Sequence, residues 1–259
     1  MSHEVLRATL AALDRGEGCA LVTVLEVEGS SPASPGQKML VHADGRCEGT
    51  VGGGAVERKA AEQARAALAA GRSTICRFDL DPDSEHGIGT LCGGQAVLSI
   101  EVFPASLRFL LFGAGHVSEA FARQAAELGW AHTVVDARRE LLTRERFPAA
   151  TALVEADPAI FAARDEIASF THLVIFTHDH VLDRAILSAL LERELPGYVG
   201  MIGSARKWSE TRRSLEAEGV ARARLDAVRC PVGLPIGSRT PAEIAVAIAA
   251  EIIKERRTS

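Results

Sequence analysis

Apolar and polar residues are arranged in two ways along this chain, and the change between them falls near residue 105. Before it, short segments alternate: CALVTVLEVEG at 19–29 is rich in β-branched residues, with Glu26 and Glu28 set between Leu25 and Val27, which predicts a strand with an exposed far end. Met39 and Val41 alternate around an Ala-Asp-Gly turn at 43–45, which predicts a hairpin whose return strand runs to Val51. A helix with Val5, Leu6, Leu10 and Leu13 on one face is expected from Ser2 to Asp14, stopped by Gly16 and Gly18. The alanine-rich AVERKAAEQARAALAAG, closed by Gly71, predicts a second. Two further strands, STICRFDL and QAVLSIEVF, flank the irregular DPDSEHGIGTLCGG.

From residue 107 the apolar residues run almost without interruption. Leu107, Phe109, Leu110, Leu111 and Phe112 predict a parallel strand buried on both faces. Strand and helix patterns then alternate through HTVVDAR, ATALVEADP, THLVIFTHD, LDRAILSALLERE, YVGMIG and ARKWSETRRSLEAEG, and the loop CPVGLPIGSRTPAEI leads into a last helix. Such alternation implies a parallel sheet covered by helices on both sides, with ligands bound beyond the carboxyl ends of its strands. The expected fold is α/β: an α+β domain over 1–105, then a Rossmann-like doubly wound domain over 106–259.

Composition narrows the function. Hydrophobic residues make up 47% of 259, enough to fill such cores, and a net charge of −5 leaves no basic footprint for nucleic acid. The N-terminal segment reads as an amphipathic helix rather than a signal peptide, and no stretch is long and apolar enough to span a bilayer, so no membrane contact and a cytoplasmic location are expected. The five cysteines lack C-x-x-C spacing, which argues for reduced thiols rather than a disulfide framework or structural zinc.

Candidate chemistry gathers at glycine-rich turns. Gly113 permits a tight turn after the buried strand, Gly115 lets backbone approach a ligand, and the helix that follows offers unpaired N–H groups to a phosphate. The pattern is G-x-G-x-x-S, with Ser118 where a dinucleotide fingerprint has glycine or alanine, and Asp136 stands where a carboxylate would meet a ribose 2′-OH. Glycines serving packing alone are the competing reading. Arg138 can meet a 2′-phosphate, stack on a base or bind another anion. Gly52, Gly53 and Gly54 open a helix and form either a second anion-binding concavity or a turn needing positive φ. His178, Asp179 and His180 leave a buried strand toward the same rim, where they can trade protons, ligate a metal or simply bond loop backbone. Gly203 and Ser204 repeat the strand-to-helix turn, while Thr240, Pro241 and Glu243 read as a capping box. Asp81, Asp83, Glu85 and His86 lack EF-hand spacing and read as solvated loop charges. Cys92, beside Gly93 and Gly94 in a loop, is expected to be more accessible than strand cysteines such as Cys19 and Cys76; Cys47 after the hairpin turn is expected to be exposed too but lacks a glycine-rich motif, so Cys92 is the candidate sulfur or metal contact.

The phrases GSSPASPGQKM, GTVGGGAVE, LCGG, FGAGHV, VDAR, THDHVLD, YVGMIGSARK and CPVGLPIGSRTPAEIAVAIAAEI, in order along the chain, resemble the xanthine dehydrogenase accessory proteins of the XdhC/CoxI group. The resemblance implies an accessory domain followed by a Rossmann domain, binding of molybdenum cofactor (molybdopterin), protection of it while a cysteine desulfurase partner installs its sulfido ligand, and delivery to a molybdenum hydroxylase such as xanthine dehydrogenase. It also implies a homo-oligomer, with His116 of FGAGHV among the cofactor-binding residues. One position departs: the family commonly has arginine where this chain has Ala33. An NAD- or NADP-dependent oxidoreductase using Gly113, Gly115 and Asp136 is the competing function, and a nucleotide-responsive regulator a third.

Overall fold

A computed structural model describes residues 2–80, 94–195 and 197–258. The chain forms two compact units, Met1–Ser106 and Leu107–Ser259.

In the first unit, β1 (Cys19–Gly29), β2 (Lys38–His42), β3 (Cys47–Gly49), β4 (Thr74–Asp79) and β5 (Gly94–Phe103) make an antiparallel sheet of order β3-β2-β1-β5-β4. Alternation along β1 sends Ala20, Val22 and Val24 into one core and Cys19 and Leu21 into another. The first core is closed by Val56, Ala60 and Ala64 of α2 (Gly54–Ala69), the second by Val5 and Ala12 of α1 (Ser2–Asp14).

Two expectations need correction here. Helix α1 buries Val5, Thr9 and Ala12, while Leu6 and Leu10 are exposed. Its small-residue stripe is the one that fits against the hairpin, where a Cβ on Gly49 would already meet Val5 Cγ2 at 2.4 Å. The return strand ends at Gly49 rather than Val51, because the backbone turns at the positive-φ residues Gly49 and Gly52.

The second unit is a six-stranded parallel sheet of order β11-β10-β9-β6-β7-β8, built from β6 (Arg108–Phe112), β7 (Ala131–Asp136), β8 (Ala152–Glu155), β9 (His172–Ile175), β10 (Tyr198–Met201) and β11 (Val228–Arg229). That is the doubly wound dinucleotide-binding order, and the winding reverses between β6 and β9. Phe109 and Leu111 of β6 face Phe121 of α3 (His116–Glu127) and Ile248 of α8 (Pro241–Thr258). Leu110 and Phe112 face Phe161 of α4 (Pro158–Ala162), Ile186 and Leu190 of α5 (His180–Leu191) and Leu215 of α6 (Ala205–Ala217). All four of these β6 side chains are fully buried, as the unbroken apolar run predicts. A short α7 (Arg222–Asp226), absent from the sequence expectation, leads into β11.

Candidate functional site

The strand reversal leaves a crevice at the carboxyl ends of β6, β7 and β9. Gly113 turns the chain at φ 104°, and a Cβ there would lie 3.1 Å from the Phe176 carbonyl, so both conformation and neighbours require glycine. Gly115 differs: its φ of −72° suits any residue, and nothing approaches a Cβ closer than 3.9 Å. Its contribution is the space left open where it lines the cavity.

Helix α3 begins directly after, without a side-chain cap. Its first backbone bond runs from Glu119 N–H to Gly115 C=O at 3.0 Å, so the N–H groups of His116, Val117 and Ser118 have no intrahelical acceptor. With the helix dipole they make a seat for an anion. Ser118 is fully buried, and its Oγ has no partner among the described residues. It supplies the small volume that a glycine or alanine supplies elsewhere in this fold.

Two adjoining cavities occupy the crevice. The larger, about 600 Å³, is walled by Gly115, His116, Arg138, Arg146 and His178, with apolar surface from Phe176 and Ile202. The smaller, about 180 Å³, lies against Gly113, Asp136 and Arg138 and shares Thr177 and His178 with the first. The structure thus gathers Gly113, Gly115, His116, Asp136, Arg138 and His178.

It does not bring Gly203 and Ser204 into either wall. Ser204 caps α6, accepting from Lys207 N–H at 3.1 Å, and Gly203 packs against the Lys207 side chain and Cys230 Sγ. Gly52, Gly53 and Gly54 belong to the first unit. A Cβ on Gly52 would meet Ala33 N at 2.8 Å, while Gly53 and Gly54 take positive φ in open space. Cys92 and the loop charges Asp81, Asp83, Glu85 and His86 lie outside the described residues.

Electrostatics hold the walls in place. Asp136 accepts from Ala114 N–H at 2.7 Å and from Arg138 through its backbone N–H, Nε and Nη2. Burial alone would raise the Asp136 carboxyl; the bonds from Arg138 and Ala114 together outweigh it and leave the carboxyl below its ordinary range. Arg146 bonds Glu119 and the Leu141 carbonyl. Fully buried Asp183 accepts from Thr177 Oγ1 and from Lys207 Nζ, tying the segment after β9 to α6. Asp179 caps α5 through Val181 N–H. Among the described residues no cluster of three or more His, Cys, Asp or Glu side chains is arranged to hold a metal ion.

Arg146 and Thr177 escaped the sequence reading. Arg146 belongs to a segment without periodicity, and Thr177 is one hydroxyl in a phrase dominated by histidines. The adjacency of Thr177 to a buried-strand end was the only available signal.

A six-stranded doubly wound sheet with an uncapped helix start at its switch point defines a Rossmann-type domain, here preceded by an antiparallel α+β unit. Residues 109–252 match the family described as XdhC Rossmann domain and residues 12–79 the XdhC and CoxI family. The chain belongs to the XdhC family. It is 36% identical over 242 residues to the uncharacterized protein YqeB of Escherichia coli (strain K12), covering 93% of this chain but 44% of that one, so it spans less than half of that relative. It is 27% identical over 284 residues to the molybdenum cofactor insertion chaperone PaoD of the same organism, covering 97% of this chain and 88% of PaoD. A crystal structure of a xanthine dehydrogenase from Bacillus halodurans shares the fold, with a TM-score of 0.53 over 98% of this chain and 95% of that one at 24% identity. No described helix is long and apolar enough to cross a membrane.

Proposed function

We propose that this protein is a molybdenum cofactor chaperone: it binds the cofactor as cargo, shields it while a cysteine desulfurase installs the terminal sulfido ligand, and passes it to a xanthine dehydrogenase-type molybdenum hydroxylase. The observation that carries the reading is the crevice of about 600 Å³ at the switch point, in a chain similar to a protein named for cofactor insertion. Molybdopterin is a hydrogen-bonding tricycle that bears a phosphate, and the cavity is of a size that holds such ligands. The α3 N–H groups and the outer edge of Arg138 suit its phosphate, Phe176 and Ile202 the ring faces, and His116 and His178 its polar edge. Gly52, Gly53 and Gly54 are proposed as a further cofactor contact, and Cys92 as the thiol that meets the metal or a sulfur intermediate.

The test is genetic and biochemical together. Deleting the gene should abolish the activity and the sulfido-ligand content of a molybdenum hydroxylase in the host, and purified protein loaded with cofactor should restore them. Unaltered activity and sulfido content of every such hydroxylase would sink the proposal. Gly115→Trp, which fills the cavity from a position whose backbone tolerates a side chain, should fold and fail to bind.

The strand order also favours a second reading, an NAD(P)-dependent oxidoreductase. Titration with NAD, NADP and molybdopterin, followed by an assay for hydride transfer, separates the two.

A further inference from the structure

Asp136 ends β7, where folds of this type present a carboxylate to an adenosine ribose. Ribose recognition needs free lone pairs, because the diol donates its O–H groups. A carboxylate has about four acceptor sites. In this protein each oxygen already accepts two N–H bonds. Oδ1 takes Arg138 N–H at 2.8 Å and Nε at 2.9 Å, and Oδ2 takes Ala114 N–H at 2.7 Å and Arg138 Nη2 at 2.8 Å. The Asp136 side chain is 5% exposed. A diol arriving here finds the acceptor saturated, and admitting it requires Arg138 to leave a buried carboxylate.

Arg138 presents the opposite chemistry. Its guanidinium carries five N–H donors, and Asp136 uses one from Nε and one from Nη2. Nη1 has no acceptor among the described residues, and 40% of the side chain is exposed in the walls of both cavities. An anion can bond this outer edge without disturbing the bonds to Asp136. The other arginine in the wall, Arg146, already bonds Glu119 and the Leu141 carbonyl. Arg138 therefore keeps more of its donors free than Arg146, whose Nε, Nη1 and Nη2 are all engaged, and it is the more exposed of the two.

We infer that the crevice selects ligands that end in a phosphate monoester and rejects those whose handle at β7 is a ribose diol, with Arg138 as the specificity-determining residue. The inference rests on the reading above that the crevice binds a phosphorylated ligand. Two sources carry the shared chemistry, the 2′-phosphate of NADP and the terminal phosphate of molybdopterin.

The experiment compares matched pairs by calorimetry on the full chain: NADP against NAD, and molybdopterin against its dephosphorylated form. In at least one pair the phosphorylated member should bind about 10-fold tighter or more, the scale of a charge-assisted bidentate contact. Discrimination in the nucleotide pair alone identifies the 2′-phosphate as the source, and discrimination in the pterin pair alone identifies molybdopterin. Arg138→Gln should bring that ratio to within about 2-fold, and Arg138→Lys, which keeps the charge but loses the fork, should fall between. Should Arg138→Gln fail to fold, the wild-type ratios and Arg138→Lys still decide. Binding of both members of both pairs within about 2-fold overturns the specificity while leaving the phosphorylated-ligand reading intact. A ratio unchanged in both Arg138 variants also overturns it. No binding of any of the four overturns both.

Discussion

At the scale of single residues, the glycine turn separates two uses of the same amino acid. Gly113→Ala imposes a side chain on a φ of 104° and drives a Cβ against the Phe176 carbonyl, so it should lower stability by about 2 kcal/mol in urea titration. Gly115→Ala has neither strain nor a near neighbour and should melt like the wild type. Equal stability of the two variants would refute this division. Ser118 is the reverse case, a buried hydroxyl without a partner among the described residues. Ser118→Ala removes a desolvated group at almost constant volume and should be neutral or stabilising by up to about 1 kcal/mol. A clear loss of stability would show that the hydroxyl is bonded in solution. The glycines and Asp136 were legible in the sequence because strand, turn and spacing place them. That both Asp136 oxygens are saturated was not, since it depends on how the Arg138 side chain folds back two residues later.

Among elements, the segment after β9 is held by a pair that the sequence showed only as two charges 24 residues apart, Asp183 on α5 and Lys207 on α6. Burial pushes the Asp183 carboxyl above its ordinary range even against the bonds from Lys207 and Thr177. Lys207→Met strands that carboxylate and should cost about 3 kcal/mol, while adding Asp183→Leu should recover most of the loss. An isolated Lys207→Met effect below about 1 kcal/mol would rule the pair out as a structural tie. At the opposite end of the sheet, His172 of β9 lies against Phe109 and stacks on Tyr198, with ring centroids 4.7 and 5.1 Å away. Burial, with a smaller push from Arg256, takes its pKa down to about 4. The unfolded chain therefore binds a proton that the folded chain refuses, and stability is complete above about pH 6.5 and lost as pH falls toward 4. The full shift is worth about 3 kcal/mol. His132, lowered by burial as well, acts in the same direction. His172→Phe keeps the stacking and should flatten the slope between pH 6.5 and 4; an unchanged slope would assign it to other groups.

For the whole molecule, the proposals about Cys92 and self-association need measurements on the intact chain. If Cys92 meets the metal or a sulfur intermediate, Cys92→Ala and Cys92→Ser should both fold and both lose cofactor binding or its transfer to an apo-hydroxylase; wild-type transfer by both would leave the thiol without a chemical role. Light scattering across a dilution series should give a mass above the monomer if the chain self-associates, and a constant monomer mass would remove that proposal. The sequence by itself determined the α/β class, the doubly wound character of the second half and the family, because those follow from local periodicity, turn chemistry and ordered phrases. An apolar run marked the two-faced burial of β6 and of the first half of β1, and the alternation around Glu26 and Glu28 marked the exposed far end of β1, each an imprint of how many faces that stretch buries. Only the tertiary structure decided which stripe of α1 docks, that Gly203 and Ser204 stand outside the cavity walls, and that Arg138 closes over Asp136 while Lys207 meets Asp183. Those outcomes are set by which side chains meet in three dimensions, a long-range property that neighbouring residues along the chain do not encode.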